Sequence, residues 1–305
     1  MEETNSLNLA VDAINELSAN CDFCKPFEYY YRNQNIVSPE EWGDFLKALQ
    51  SRLPVTFRVV QRTMHCDKMN RYLKEMAPIL EDFFRSSTTE TREELYLPKE
   101  QQIPVKCGFL GWYPNQIAYQ LGPTKYLKSS EDPRIRAFNE FLLYHTQAGL
   151  IYRQEAVSML PPLFLNITKD SCILDLCAAP GSKTSQILEE LHHLSANELH
   201  MEEHPTTLSK GAVIANDANS RRSHLLIHNL RHLHSPSLLV TNHAAQRYPS
   251  LYDTSAQTFV RYDGVLCDVP CTADGTLRKS PAIRFRWHPH QATGTHRLQL
   301  QILKR

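Results

Sequence analysis

The pattern of apolar and polar positions changes character along this chain, and the change divides it. In the C-terminal half, short apolar runs alternate with stretches of helical period. Residues 172–176 are apolar apart from Asp175, the composition of a buried strand. Small residues and a Pro-Gly turn signal follow (Cys177, Ala178, Ala179, Pro180, Gly181), and Ser182 is placed to cap a helix. Ile187, Leu188 and Leu191 then share one helical face. The alternation continues with a strand over 211–217, a helix over 220–233 and strands over 237–241 and 262–268. Strands alternating with helices predict an α/β fold, a parallel, doubly wound, Rossmann-like sheet.

The N-terminal half alternates less regularly and reads as a smaller α+β region. Helices are expected over 7–17, from Ser38-Pro39-Glu40-Glu41 to about residue 52, over 67–84, from Asp132-Pro133 through Leu142, and over 153–160, ending at Pro161-Pro162. Strands are expected over 54–60 and 103–112, with a turn at 113–115. Residues 86–94 and the His-rich stretch 192–210 are polar and read as surface loops. Trp112, Tyr113 and Tyr119 could stack on bases, although burial is the plainer reading of aromatic residues. These patterns place a boundary near Gly149, giving an accessory or RNA-binding region over 1–149 and the sheet domain over 150–305.

Composition adds limits. The chain has 305 residues, 42% hydrophobic and 22% charged, which is the make-up of a folded globular protein. Lys+Arg and Asp+Glu both total 33, so there is no overall basic field and any nucleic-acid contact needs a local patch. One candidate is the end of the chain. From Gly275 to Arg305 there is no Asp or Glu, while Arg278, Lys279, Arg284 and Arg286 lie close together with Phe285 and Trp287 between or beside them. Such a segment could track an RNA backbone, and a solvated end fits the same composition. No long apolar run and no leader of signal-peptide form is present, which leads us to expect no membrane association and a nuclear or cytoplasmic, monomeric protein. Eight cysteines without framework spacing suggest free thiols in a reducing compartment. Cys21 and Cys24 form a lone C-x-x-C whose nearest possible complement, His65-Cys66, matches no zinc pattern, so no metal is expected.

The loop over 177–183 sits where a Rossmann-like sheet binds its ligand. The dinucleotide fingerprint needs three glycines and this loop has one; the phosphate-loop pattern needs a glycine five residues upstream of Gly-Lys, and none is there. Asp217, at the end of the next strand, suits ribose hydroxyls. A small-residue loop with that acid fits S-adenosylmethionine, which has no phosphate to cradle. A second constellation follows the fourth strand. Asp268, three residues before the proline-fixed Cys271, suits a base-modifying site, the carboxyl group facing a cytosine ring nitrogen and amino group and the thiol facing the ring. A turn with a packed cysteine is the alternative.

Residues 153–159 (RQEAVSM), 173–184 (ILDLCAAPGSKT), 213–217 (VIAND) and 266–271 (LCDVPC), with Asp274-Gly275-Thr276 and Arg278-Lys279, carry a specific combination of motifs. Together with Glu41-Trp42-Gly43, Leu53-Pro54 and Trp112-Tyr113-Pro114, they make the chain resemble the Sun family of RNA (cytosine-5) methyltransferases over almost its whole length, most closely the tRNA-modifying branch. The resemblance implies a chemistry: a cysteine thiolate adds to carbon six of an unstacked cytosine, carbon five takes the methyl group of S-adenosylmethionine, and elimination restores the ring. It implies that Cys177, Ala178, Ala179, Pro180, Gly181, Ser182, Lys183, Asp217 and Asp268 contact the cofactor, that Asp268 also orients the cytosine, that Cys271 assists product release, and that tRNA is the partner. In the family a third acid follows the Asn-His of the third strand. Ala244 stands there, which predicts weaker cofactor binding. The family's nucleophile lies in a later Thr-Cys motif, and no cysteine follows Cys271, so by this resemblance the chain looks C-terminally truncated. Three readings follow: an active enzyme using Cys271, an inactive fragment or RNA- and cofactor-binding relic, or another methyl transfer on the same fold.

Overall fold

A computed structural model describes residues 25–51, 53–61, 66–90, 106–122, 127, 130–199, 211–280 and 282–305. The helix expected over 7–17 and the Cys21/Cys24 pair lie outside the described residues. In chain order the elements are α1 (Lys25–Asn33), α2 (Trp42–Gln50), β1 (Val55–Val59), α3 (Cys66–Glu90), β2 (Gly108–Phe109), β3 (Ala118–Leu121), α4 (Pro133–Gln147), β4 (Ile151–Arg153) and α5 (Leu160–Leu163). Then come β5 (Cys172–Asp175), α6 (Ser182–Leu199), β6 (Ala212–Asn216), α7 (Ser220–Leu230), β7 (Leu238–Thr241), the hairpin β8 (Tyr252–Asp253) and β9 (Thr258–Phe259), β10 (Gly264–Leu266), α8 (Ile283–Arg286) and α9 (Pro289–Lys304).

The chain divides into two compact units. The larger comprises Pro54–Glu90, Pro104–Val269 and Gln301–Arg305; the smaller draws its described residues from Met1–Leu53 and Pro270–Leu300. The division follows contact rather than chain order, and the expected boundary at 149/150 falls inside the larger unit, where the Val60 N–H donates to Leu150 O at 3.0 Å.

Within the larger unit two sheets form. The first is antiparallel, ordered β2-β3-β1-β4, with Phe57 opposite Tyr119 on one side and Arg153 on the other. Its core joins Phe57, Val59 and Tyr119 to Met69, Leu73, Leu80 and Phe84 of α3 and to Ile135 and Phe138 of α4. The second is parallel, ordered β10-β5-β6-β7, and it is the expected Rossmann-like sheet. Ile187, Leu188 and Leu191 of α6 pack against Ile173, Val213 and Leu266, while Leu226 and Leu230 of α7 pack with Ala178, Ala179 and Ala215. The chain leaves β5 toward β6 and β7 and returns to β10 on β5's other side. The carboxyl ends of β5 and β10 therefore flank the point where strand order reverses, the place where open α/β sheets bind ligands.

The smaller unit has its own core of Phe27, Leu277 and Trp287, with Tyr30, Tyr31, Phe45, Leu46, Leu49 and Ile283 partly buried around it. Tyr31 donates its hydroxyl to Asp274 Oδ2, and Arg278 Nε donates to Ser51 O at 3.1 Å.

Several elements differ from their sequence patterns. The stretch expected as a helix over 153–160 begins as the end of β4, passes through a 3-10 turn at Ala156–Met159 and becomes helical only at Leu160. Pro161 and Pro162 open that short helix rather than end it, since the first turn needs no intrahelical N–H. The strand expected over 103–112 shrinks to Gly108–Phe109 among the described residues. Polar helix ends blurred two further boundaries: α3 continues past Phe84 to Glu90, and α6 continues to Leu199, into stretches read as loops.

Candidate active site

The loop after β5 is shaped by backbone closure. Leu176 N–H donates to Leu266 O at 2.9 Å, Ala178 N–H to Asn216 O at 2.7 Å, and Gly181 N–H to Ala178 O at 2.8 Å. The loop includes a cis Ala179–Pro180 peptide and then Gly181 at φ +107°. A Cβ at Gly181 would stand 2.9 Å from Leu226 Cδ1 and 3.3 Å from Leu230, so packing as well as backbone conformation selects glycine here. Ser182 then opens α6, and Ser185 N–H donates back to Gly181 O at 2.8 Å.

Three carboxylates stand at the carboxyl ends of the parallel strands. Asp175, closing β5, is 1% exposed; its Oδ2 accepts the Thr184 hydroxyl at 2.8 Å, and its Oδ1 has no hydrogen-bond partner. Burial pushes its carboxyl group up to about 7, against the opposing pull of the Thr184 hydrogen bond and the nearby Lys183 ammonium. Asp217 follows β6. Its Oδ1 accepts Asn219 N–H at 2.9 Å, and its Oδ2 lies 3.5 Å from Arg222 Nη2, which also donates to Ala179 O at 2.5 Å. Asp268 follows β10, and its Oδ2 accepts Lys183 Nζ at 2.7 Å. This pair joins the cofactor-type loop to the base-type motif directly. With Asp268 57% exposed and Lys183 14%, solvent screens the pair on one side, so it positions more than it stabilises.

The thiols differ in environment. Cys177 is half-buried, and burial, reinforced by Asp175 and Asp217, pushes it up to about 11, so it stays a neutral thiol at physiological pH. Cys267 is exposed on the β10 side and is also raised, chiefly by desolvation. Cys271 is exposed and belongs to the smaller unit; its Sγ accepts Ala273 N–H at 3.4 Å. It opens onto a shallow hollow of about 420 Å³ shared with Thr272 and with Thr293, His296 and Gln299 of α9. Gln299 Nε2 donates to Pro270 O at 2.8 Å, which ties α9 to the Cys271 loop. The division between units falls between Val269 and Pro270, hence between Asp268 and Cys271.

Of the residues expected from sequence, 177–183, Asp217 and Asp268 gather at the ends of β5, β6 and β10. The basic tail is partly packed and partly exposed. Trp287 is 2% exposed and Arg278 is hydrogen-bonded to Ser51, while Lys279, Phe285 and Arg286 are exposed; the Arg284 side chain lies outside the described residues. The reason is apolar: Leu277 and Trp287 are needed for the core around Phe27. Tyr113 and Tyr119 are likewise buried, whereas Trp112 is exposed. Among the described residues, no group of three or more His, Cys, Asp or Glu side chains is placed to hold a metal ion, and no helix is long and apolar enough to cross a membrane.

Besides Asp175, two residues at the site had not been singled out. Asn216, fully buried at the end of β6, donates to Leu176 O (3.0 Å) and His243 O (2.9 Å), and its Oδ1 accepts His243 N–H (2.9 Å) and the Thr241 hydroxyl (3.0 Å). It thus binds the loops after β5 and β7 to β6. The signal in the sequence is an amide side chain closing an apolar strand, which burial makes costly unless it is fully paired. Arg222 is the second, and its role depends on a carbonyl 43 residues away that no local pattern reveals.

A family model described as 16S rRNA methyltransferase RsmB/F matches residues 162–305. The chain is similar to the tRNA (cytosine(34)-C(5))-methyltransferase of Drosophila melanogaster, with 40% identity over 283 residues, 92% of this chain and 36% of that protein. It is also similar to the multisite-specific tRNA:(cytosine-C(5))-methyltransferase of Saccharomyces cerevisiae, with 35% identity over 284 residues, 92% of this chain and 38% of that protein. The chain thus spans well under half the length of these curated relatives. Among solved structures it resembles that of PH0851, with TM-score 0.59 and 20% identity, covering 90% of this chain and 48% of that one. It also resembles NSun6 from Pyrococcus horikoshii with SFG, with TM-score 0.57 and 17% identity, covering 92% and 78%. At such identities the likeness is one of fold.

Proposed function

We propose that this chain, whose residues 162–305 match the RsmB/F methyltransferase model, binds S-adenosylmethionine and takes part in methylation of cytosine carbon five in tRNA. The observation that carries this reading is the meeting of the 177–183 loop, Asp217 and the Lys183–Asp268 pair at the reversal point of the parallel sheet. The tRNA assignment is supported by the relatives named above.

The donor and acceptor set fits that cofactor. Asp175 Oδ1 is an unmet buried acceptor and Asp217 a carboxylate at the next strand end, suited to cationic and hydroxyl groups. Lys183, the loop's own cation, is committed to Asp268, which leaves it poorly disposed for a polyphosphate. S-adenosylmethionine, when bound, supplies an electrophilic methyl group. The chain's own residues then have separable tasks. Gly181 and the Ala178–Ala179 turn let backbone approach the ligand, Asp217 holds ribose hydroxyls, and Lys183 holds the Asp268 carboxylate. Asp268, half outside the protein surface, remains able to hydrogen-bond a cytosine edge. Cys271 offers a thiol to the ring, its sulfur oriented by the Ala273 N–H.

A second reading, binding of cofactor and RNA without turnover, is supported by Ala244, which stands where the resemblance expects an acid. Two measurements on the 305-residue chain separate these. Calorimetry should detect S-adenosylmethionine binding that weakens at least about tenfold in Asp217→Asn, the loss of a charged acceptor; absence of binding to the wild type would end the cofactor assignment. Transfer of labelled methyl to tRNA, abolished by Cys271→Ala, supports turnover by this chain, whereas cofactor binding with no transfer supports the second reading.

A further inference from the structure

β1 is an apolar strand interrupted by one charge. Arg58 lies between Phe57 and Val59, is 1% exposed and is the largest fully buried side chain described. A buried guanidinium is tolerated only where its donors are matched, and here they are matched by Gln154, just after β4, and by Ser185 and Glu189 of α6. Nε donates to Gln154 Oε1 at 2.6 Å, Nη1 to Glu189 Oε2, and Nη2 to Glu189 Oε1 at 3.2 Å and to Ser185 Oγ at 3.0 Å. The centroid of the Tyr152 ring lies 5.7 Å from the guanidinium carbon. Burial works against the charge, but Glu189 outweighs it and the guanidinium stays protonated.

Glu189 alone would neutralise Arg58. The remaining contacts do something else, because they reach the first turn of α6. Ser185 takes an N–H from Arg58 and directs its own hydroxyl proton to Ser182 O at 3.0 Å, while its backbone N–H returns to Gly181 O at 2.8 Å. Gln154 runs parallel to this line, donating to Gln186 Oε1 at 3.0 Å and to Ser158 O at 2.9 Å. Between Ser182 and Ser185 lie Lys183 and Thr184, the two side chains that meet Asp268 and Asp175.

We propose that Arg58 is a positioning residue for the cofactor loop: through Ser185 the antiparallel sheet holds the first turn of α6, and with it the 177–183 loop, in its binding conformation. This rests on the reading of that loop as the S-adenosylmethionine site. It makes the N-terminal sheet part of the cofactor machinery, acting through α6 rather than on the ligand.

The test pairs a ligand-free measurement with a ligand measurement on the full chain. Ser185→Ala removes only the relay hydroxyl. Arg58→Lys keeps a cation for Glu189 but cannot reach Gln154 and Ser185 as a fork does. In both variants, hydrogen exchange in peptides covering 176–186 should accelerate about fivefold, the worth of one net hydrogen bond, while peptides of β1 and β3 keep their wild-type rates. S-adenosylmethionine affinity should fall by about the same factor, and the double variant should bind no more weakly than the weaker single, because both changes cut one line. Unchanged exchange over 176–186 in both variants overturns the proposal. So does a loosened loop whose affinity stays within about twofold of wild type. A wild-type chain that binds no S-adenosylmethionine, with the loosening still present in the variants, overturns the ligand reading and leaves the holding role of Arg58 supported.

Discussion

Asp175 offers a sharp test of how the site is built. The substitution Asp175→Asn keeps the shape of the side chain and lets its oxygen go on accepting the Thr184 hydroxyl, while the NH2 group takes the place of Oδ1, which has no partner to lose. What disappears is titration. The carboxyl group is pushed from its ordinary 3.8 up to about 7, first by burial. With the folded value above the unfolded one, the native state binds the proton more tightly. The stabilisation from that proton is complete below about pH 4 and is lost as pH rises through about 7. The full difference corresponds to about 4 kcal/mol, of which about 2.5 kcal/mol is lost between about pH 5 and pH 8.

Urea denaturation of the full chain, followed by far-ultraviolet circular dichroism at half-unit pH steps, reads this directly. Other groups titrate in the same range, so the informative quantity is the difference between variant and wild type. The introduced amide leaves an unpaired buried NH2, a cost of about 1–3 kcal/mol that does not depend on pH. The variant should therefore gain on the wild type steadily, by about 2.5 kcal/mol, from pH 5 to pH 8. Two pH profiles parallel to within about 0.5 kcal/mol would refute the assignment of a buried, proton-retaining Asp175.

Three further outcomes are expected. Gly181→Ala should cost about 3 kcal/mol and lower the melting temperature by several degrees, since a Cβ there meets Leu226 at 2.9 Å from a backbone at φ +107°; a change below about 0.5 kcal/mol would contradict the packing described. Asn216→Ala strands the Leu176 and His243 carbonyls and the His243 N–H, and should cost about 3 kcal/mol in denaturation and raise exchange in the loops after β5 and β7 together. Iodoacetamide at neutral pH should modify Cys267 and Cys271 while sparing Cys177, whose thiol is pushed up to about 11; peptide mass spectrometry showing Cys177 alkylated as fast as Cys271 would contradict that.

The parallel sheet was legible because each of its strands is a compact apolar run closed by a turn residue, and the start of α4 was legible at Asp132-Pro133, where Asp132 accepts Arg134 N–H at 2.8 Å. That cap is local chemistry. β3 and β4 were not legible, since four and three residues carry too little periodicity and exist as strands because β1 pairs with them on either side. The packing within the tail was hidden for a different reason. Counting charge from Gly275 onward gives a cationic segment, but Leu277 and Trp287 go to a core whose other half lies near the opposite end of the chain, at Phe27. Composition records which residues are present, and apolar burial between distant segments decides where the charged ones end up.

The site itself splits along the same line. Residues 177–183, Asp217 and Asp268, which we propose form the cofactor site, stand out in the sequence because they combine small residues with strand-end acids. Asn216 and Arg58 stay hidden, because a polar residue in an apolar strand has two opposite explanations: a solvent-facing position, or a buried one with its partners elsewhere. For Arg58 the partners are Gln154, Ser185 and Glu189, the last of them 131 residues away. Strand alternation does not choose between the explanations, since Phe57, Arg58 and Val59 are all buried and β1 has no solvent-facing side at this point. A charge within a strand buried on both faces must be paired or it would not be there. The reading that follows from β1 alone is therefore a demand for a carboxylate, and the fold meets it on α6, the helix that follows the 177–183 loop.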